Sequence, residues 1–293
     1  MRTICVAGLY INIESADEAF FSKRFKAYEA APTDTPDMVM TTRVVNEIPL
    51  PQGEICYEKN NSYVLKTDDG RFFKYSLGPK SGKVVLGIDY SADYSSVNIS
   101  LIKGIRYEQL AETEYEYMYT GFMFANRLSM LNGTVLHGSS FAFEGEGIVF
   151  SANSGTGKST HVGLWQKRFG EKVEIINDDK PAIRIENGKA FIYGTPWSGK
   201  TDLNQNVKYP LKAVVFLSRG EENTIKKMDV INAVLNFSNQ LPRTSSDRDV
   251  CLKSIDFIKQ LYKINIPVYD FKCNITDEAV EVAYNGLFKG ELQ

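Results

Sequence analysis

Hydrophobic and polar positions along the chain follow two successive rhythms. In the first hundred or so residues, apolar side chains recur at every second position over short runs, the period of strands with one face buried. Residues 63–66 and 71–75 are such runs, and Asp68-Asp69-Gly70 between them predicts a hairpin, because glycine takes the positive φ of a tight turn without a Cβ clash. Residues 84–88 and 97–102 predict further strands. Residues 1–13 read as a first strand that runs into Glu14, Asp17 and Glu18 with no small-residue cleavage pattern, so no secretory leader is expected. Pro32 and Pro36 mark residues 30–36 as a loop, since each proline biases its predecessor away from helix.

Over residues 112–131 the spacing becomes helical. Tyr115, Met118, Tyr119, Phe122, Ala125 and Met130 predict a helix closing near Gly133. Its Tyr115, Tyr119 and Phe122 stripe reads as core, because the helix is acidic and lacks the cations of a base-stacking platform. Beyond it, strand signals at 147–151, 173–176, 182–185, 190–193 and 212–217 alternate only partly with helix signals at 159–169, 229–240, 248–262 and 277–288. Asn187-Gly188 predicts a type I′ hairpin. The expected fold class is α/β, in the mixed α+β sense: a mixed, twisted sheet with helices and not a regular doubly wound fold. The expected organisation is a β-rich N-terminal domain over 1–115, a connecting helix over 116–133 and a second domain over 134–293.

Composition narrows the classes. At 43% hydrophobic and 24% charged residues among 293, the chain has enough apolar surface for a full core. Lys+Arg 34 against Asp+Glu 36, a net charge of -2, removes the broad positive field of a nucleic-acid binder. Apolar stretches are too short to span a bilayer, so no membrane partner is expected. Cys5, Cys56, Cys251 and Cys273 form no C-x-x-C pair, and with two histidines in all they cannot build a structural zinc site. Free thiols in a reducing, cytoplasmic setting are the simplest reading.

Chemistry concentrates in three places. In the first, the apolar run 148–150 feeds Ser151-Ala152-Asn153-Ser154-Gly155-Thr156-Gly157-Lys158-Ser159-Thr160, a Gly-rich turn opening a helix. Such a turn presents consecutive main-chain N–H groups at a helix N-terminus, where the dipole favours anions. Asn153 to Thr160 would cradle phosphates, Lys158 would reach the outer ones, and the Ser159 hydroxyl would ligate Mg²⁺. Ala152 replaces the first glycine of the usual G-x-x-x-x-G-K-[ST] pattern. In the second, the run 173–176 delivers Asp178 and Asp179 at its end before Pro181 stops it; one such acid completes a Mg²⁺ shell, and a second can accept a proton from an attacking hydroxyl. The third is His137, upstream of the loop by a hairpin's length. Lys200 and Arg219 are loop cations able to meet phosphate, Arg243 is comparable to Arg219, and solvated surface roles are the expectation for the two arginines. His161 is expected to pack or cap.

His137-Gly138, the 154–159 loop and Asp178-Asp179 together resemble, in order and spacing, the HPr kinase/phosphorylase family, whose catalytic domain is related to phosphoenolpyruvate carboxykinase. Asp178-Asp179-Lys180-Pro181 and the segment 194–200 are similar to smaller bacterial HPr-kinase-like proteins. The resemblance spans roughly residues 134–293. It implies ATP- and Mg²⁺-dependent phosphorylation of a serine-type hydroxyl on a peptide, protein or small metabolite, in a chain related to proteins that often form oligomers. It also implies Asp178 as base, Asp179 and Ser159 at the metal and His137 near the transferred phosphate, with the division between the two aspartates left open. Thr160 stands where the family carries a Glu, and its Arg-containing C-terminal signature is absent, so HPr as substrate and phosphorolysis are not carried over. The alternative is a nucleotide-binding regulatory module without efficient chemistry.

Overall fold

The computed structural model describes residues 1–105, 110–199, 201–241 and 247–290. The chain divides into two compact units: of the described residues, the first holds 1–130 with Asp247 and Arg248, and the second holds the rest from Leu131. Lys200 and Arg243 lie outside the described residues.

In the first unit the order is β1 (Arg2–Val6), β2 (Leu9–Glu14), α1 (Glu18–Phe25), β3 (Met38–Val45), β4 (Gly53–Lys59), β5 (Ser62–Thr67), β6 (Phe72–Leu77), β7 (Val84–Tyr90), β8 (Ser96–Ile102) and α2 (Glu112–Met130). The strands form one eight-stranded sheet ordered β1-β2-β3-β8-β7-β6-β5-β4, with parallel pairings at β2–β3 and β3–β8. The single strand expected over residues 1–13 is a hairpin, turned at Ala7 and Gly8, whose φ values are 51° and 75°. The α2 helix packs on β3 and β8, inside this unit. Its buried face holds Thr120, Met123, Phe124 and Leu128, while of the aromatic stripe only Tyr115 is buried and Tyr119 and Phe122 are half-buried.

The second unit runs β9 (Gly133–Val135), β10 (Gly138–Phe143), β11 (Glu146–Ser151), α3 (Lys158–Phe169), β12 (Val173–Asp179), β13 (Ala182–Glu186), β14 (Lys189–Tyr193), β15 (Lys208–Arg219), β16 (Thr224–Lys227), α4 (Val230–Gln240), α5 (Arg248–Lys263), β17 (Val268–Cys273) and α6 (Asp277–Tyr284). Nine strands make a mixed sheet along β12-β10-β11-β15-β14-β13-β9, with β17 also on β15 and β16 on β17. The strands at its centre are apolar at successive positions because both faces are covered. Ile148, Phe150, Val215 and Leu217 face one side, with Trp165 of α3 and Val280 and Ala283 of α6. Val149, Val214 and Phe216 face the other, with Phe237 of α4 and Phe257 and Leu261 of α5. A mixed sheet between helices is thus the architecture, as the partial alternation of signals led one to expect.

Strand directions place the chemistry at one end of this sheet. β11, β15 and β17 are parallel neighbours. β10 is antiparallel to both β11 and β12, so β12 points the same way as β11. The C-terminal ends of four strands therefore meet along one edge, the position where open α/β sheets bind ligands. No helix among the described residues is long and apolar enough to cross a membrane.

Candidate active site

The phosphate-loop segment leaves β11 at Ser151 and turns into α3 at Lys158. Gly155 and Gly157 have φ of 77° and 116°, and a Cβ built on either meets no atom within 4 Å. These positions call for glycine through backbone conformation and not through crowding. Gly157 caps α3 without any side-chain bond to its first turn, which leaves main-chain N–H groups of that turn directed at whatever anion arrives.

Lys158 is buried, its Nζ donating to the carbonyls of Ala152 at 3.0 Å and Asn153 at 3.4 Å. Burial lowers its pKa from the ordinary lysine value, against the carboxylates of Asp179 and Asp178, which raise it. Ser159, one residue on, points across to β12: its Oγ donates to Asp178 Oδ1 at 2.8 Å. The other oxygen of Asp178 accepts from Thr201 Oγ1 at 3.0 Å, a partner that no local pattern of residues signals.

The strand that carries the acids is irregular. Its register against β10 shifts between Ser140 and Phe141, so that Ser140 faces Asn177 while Phe141 faces Ile175. The bulge at Ile176 re-aims the last residues. Asn177 is fully buried, donating to the Thr195 carbonyl at 2.8 Å and accepting from the Lys180 amide at 2.8 Å. Asp179 then sits at φ 116°, with its carboxylate paired to Lys180 and 3.4 Å from His137 Nε2. The two adjacent acids consequently face different partners, Asp178 the helix that opens the loop and Asp179 the histidine.

His137 reaches this place through Gly138. In the sheet, Gly138 lies opposite Ser151 on one side and Asp179 on the other. The residue before it must therefore lie between the strand end that feeds the loop and the strand end that carries the acids. A Cβ at Gly138 would stand 2.8 Å from Val149 Cγ2 and 2.9 Å from the Phe150 carbonyl, so the close strand approach requires glycine. Ser151 Oγ ties this corner by donating to the His137 carbonyl at 2.8 Å. Burial and the Lys158 ammonium lower the His137 pKa from the ordinary 6.5, partly opposed by Asp179 and by the bond to Gln240.

The structure thus brings His137, Lys158, Ser159, Asp178 and Asp179 together around the loop 153–160. It adds Gln240, whose Nε2 donates to Asn153 Oδ1 at 2.8 Å, and Arg219, whose guanidinium donates to the Gly155 carbonyl. Arg219 is exposed, in keeping with the surface role expected of it, and its position at the C-terminal end of β15, beside the loop, follows from strand pairing across some sixty residues. His161 takes no part: it is buried between the rings of Phe150 and Phe271, 3.2 Å from Cys273 Sγ. Burial lowers its pKa and pushes the Cys273 thiol up to about 12, so the pair is neutral and unreactive.

No protein-family model matches the chain, and no curated protein matches it in sequence. Among solved structures it is similar to the Hpr(Ser) kinase/phosphatase from Coxiella burnetii, at 10% identity and a TM-score of 0.33 over 54% of this chain and 98% of that one. At that score the likeness carries no weight, and the site's own geometry is what bears on function.

Proposed function

We propose that the chain is an ATP- and Mg²⁺-dependent phosphotransferase of the HPr-kinase-like kind, moving the γ-phosphoryl group to a serine-type hydroxyl of a peptide, protein or small metabolite. One observation carries this: Ser159 Oγ lies 2.8 Å from Asp178 Oδ1 at the mouth of a positive-φ glycine turn that opens a helix. A hydroxyl from the phosphate loop and a carboxylate from a neighbouring strand tip are the protein's usual share of a nucleotide-bound Mg²⁺ site.

The donor set suits that ion. No group of three or more His, Cys, Asp or Glu is arranged for a metal among the described residues. Mg²⁺ held with a nucleotide needs only one or two carboxylates, because phosphates and waters complete its octahedron. Ser159 and Asp178 would hold it, with Thr201 orienting Asp178 from behind. When bound, the cation neutralises charge on the phosphoryl oxygens.

Asp179 is the carboxylate left for the acceptor's proton. This exchanges the roles that the family resemblance implies for the two aspartates. His137 stands beside it, with Nε2 3.4 Å from Asp179 Oδ1. Lys158 sits beneath the loop, ready to exchange its two carbonyl partners for phosphate oxygens.

The test is transfer from labelled ATP with Mg²⁺ to free serine and serine-containing peptides, run beside calorimetric binding. Lys158→Ala and Asp178→Asn are expected to lose roughly 10²–10³-fold in turnover, the usual effect of removing one preorganised charge-stabilising group. Asp179→Asn is expected to bind nucleotide and fail to transfer. Equal rates in all variants would remove the catalytic claim, and no heat with any purine triphosphate would remove nucleotide binding as well. A regulatory module is the second reading, favoured by Thr160 where the resembling family has a Glu; tight binding without transfer to any acceptor would select it.

A further inference from the structure

Gln240, the last residue of α4, is polar yet only 8% exposed. Its Nε2 donates to Asn153 Oδ1 of the phosphate loop at 2.8 Å, and its Oε1 lies 3.2 Å from His137 Nδ1. The main chains are joined too, the His137 amide donating to the Gln240 carbonyl at 2.9 Å. The mount is rigid: Phe237, one turn earlier, is fully buried edge-on to Phe216 with ring centroids 5.2 Å apart, and Leu241 N caps the helix by donating to the Phe237 carbonyl at 2.9 Å.

An amide side chain has two unlike ends, one that only donates and one that only accepts. With the Nε2 end committed to Asn153, the end facing His137 is an acceptor. The ring nitrogen opposite must then carry the proton. We propose that Gln240 is a positioning residue that holds His137 in the Nδ1-protonated form, and that Asn153 ties this choice to the phosphate loop. The Nε2 atom is then the one turned to Asp179, at 3.4 Å. An acceptor hydroxyl arriving beside these two atoms meets two hydrogen-bond acceptors, His137 Nε2 and Asp179 Oδ1, while Lys180 pairs with the other carboxylate oxygen. The purpose of the device rests on the phosphotransferase reading, but its existence does not.

The test is a long-range ¹H–¹⁵N spectrum of the histidine rings in the full, nucleotide-free chain at about pH 8, above the ordinary histidine range. The chain has two histidines, so a His137→Gln variant identifies which signals belong to which ring. The wild type is expected to show His137 with a protonated Nδ1 and a bare Nε2. Gln240→Leu is expected to lose that signature, and Gln240→Glu, which still offers an acceptor, to keep it. Asn153→Ala, which frees the amide to turn, is expected to weaken it. Unchanged His161 signals report an intact core in each variant, which a general loss of structure would not allow. An Nε2-protonated His137 in the wild type, or a Gln240→Leu spectrum identical to it, overturns the proposal; an Asn153→Ala spectrum identical to wild type removes the tie to the loop. With no nucleotide in the sample, failure to bind ATP would overturn the functional reading and leave this result standing.

Discussion

Asp179 shows what single residues contribute to this site. Its φ of 116° lies in territory that side-chain-bearing residues rarely occupy and that costs about 1–3 kcal/mol. The surroundings hold it there: Asn177 fixes the Lys180 amide, Lys180 and His137 flank the carboxylate, and Gly199 leaves room that a Cβ would fill at 3.1 Å from Asp179 Cβ. Strain of this kind turns the second acid away from Ser159 and towards His137. Asp179→Gly should therefore relax the backbone, with part of the gain offset by glycine's greater freedom in the unfolded chain. We expect equal or higher thermal stability together with loss of phosphoryl transfer. A clear fall in the melting midpoint would show that the conformation is not strained in the folded protein.

Among elements, the segment made of residues 194–199 and 201–205 has the largest hidden influence. β12 ends the sheet, and an unpaired edge would leave its amides and carbonyls exposed. The segment covers that edge: Asp178 N donates to the Leu203 carbonyl at 2.9 Å, Gln205 N to that of Ile176 at 3.0 Å, and Gly199 N to that of Asp178 at 2.9 Å. It turns in at Gly194, where a Cβ would stand 1.8 Å from the Gln205 carbonyl oxygen, a backbone atom with no easy escape. Gly194→Ala should cost about 1–3 kcal/mol by overpacking and should loosen Asp178, read as a lower urea midpoint together with weaker Mg²⁺-dependent nucleotide binding. An unchanged midpoint would mean that the segment yields freely.

Elements also divide what was legible in the sequence from what was not. The β11–loop–α3 unit could be read because its signals are local, an apolar run, two glycines and an apolar helix face within about twenty residues. The hairpin at Ala7-Gly8 was missed because the apolar pattern continues through the turn. β17 was missed although Val268, Tyr269, Phe271 and Cys273 are buried, since its partner β15 lies some fifty residues earlier and the pairing is non-local. The bulge at Ile176 and the amide of Gln240 leave no periodic trace, and they are what sort the acids and orient the histidine.

For the molecule as a whole, acid is the informative stress. His137 and His161 both titrate below the ordinary 6.5 when folded, each chiefly through burial. Below 6.5 the unfolded chain binds more protons than the folded one, so stability falls as the pH drops through that value. Each ring withdraws up to about 1.4 kcal/mol per pH unit. Urea midpoints should thus decline between about pH 7.5 and 5.5, and His161→Leu should flatten the decline by its share. An identical slope in that variant would locate the proton uptake elsewhere.

The placement of the two tryptophans has a practical consequence. Trp165 lies on the helix that the phosphate loop opens, and Trp197 lies in the segment that backs Asp178; both are buried, at 0% and 2% exposure. Tryptophan fluorescence from the chain therefore originates in the helix that carries Ser159 and in the segment that hydrogen-bonds beside Asp178. Replacing one indole at a time with phenylalanine would give two emission channels, one watching the arrival of the anion and the other the ordering of the carboxylates, without attaching any dye.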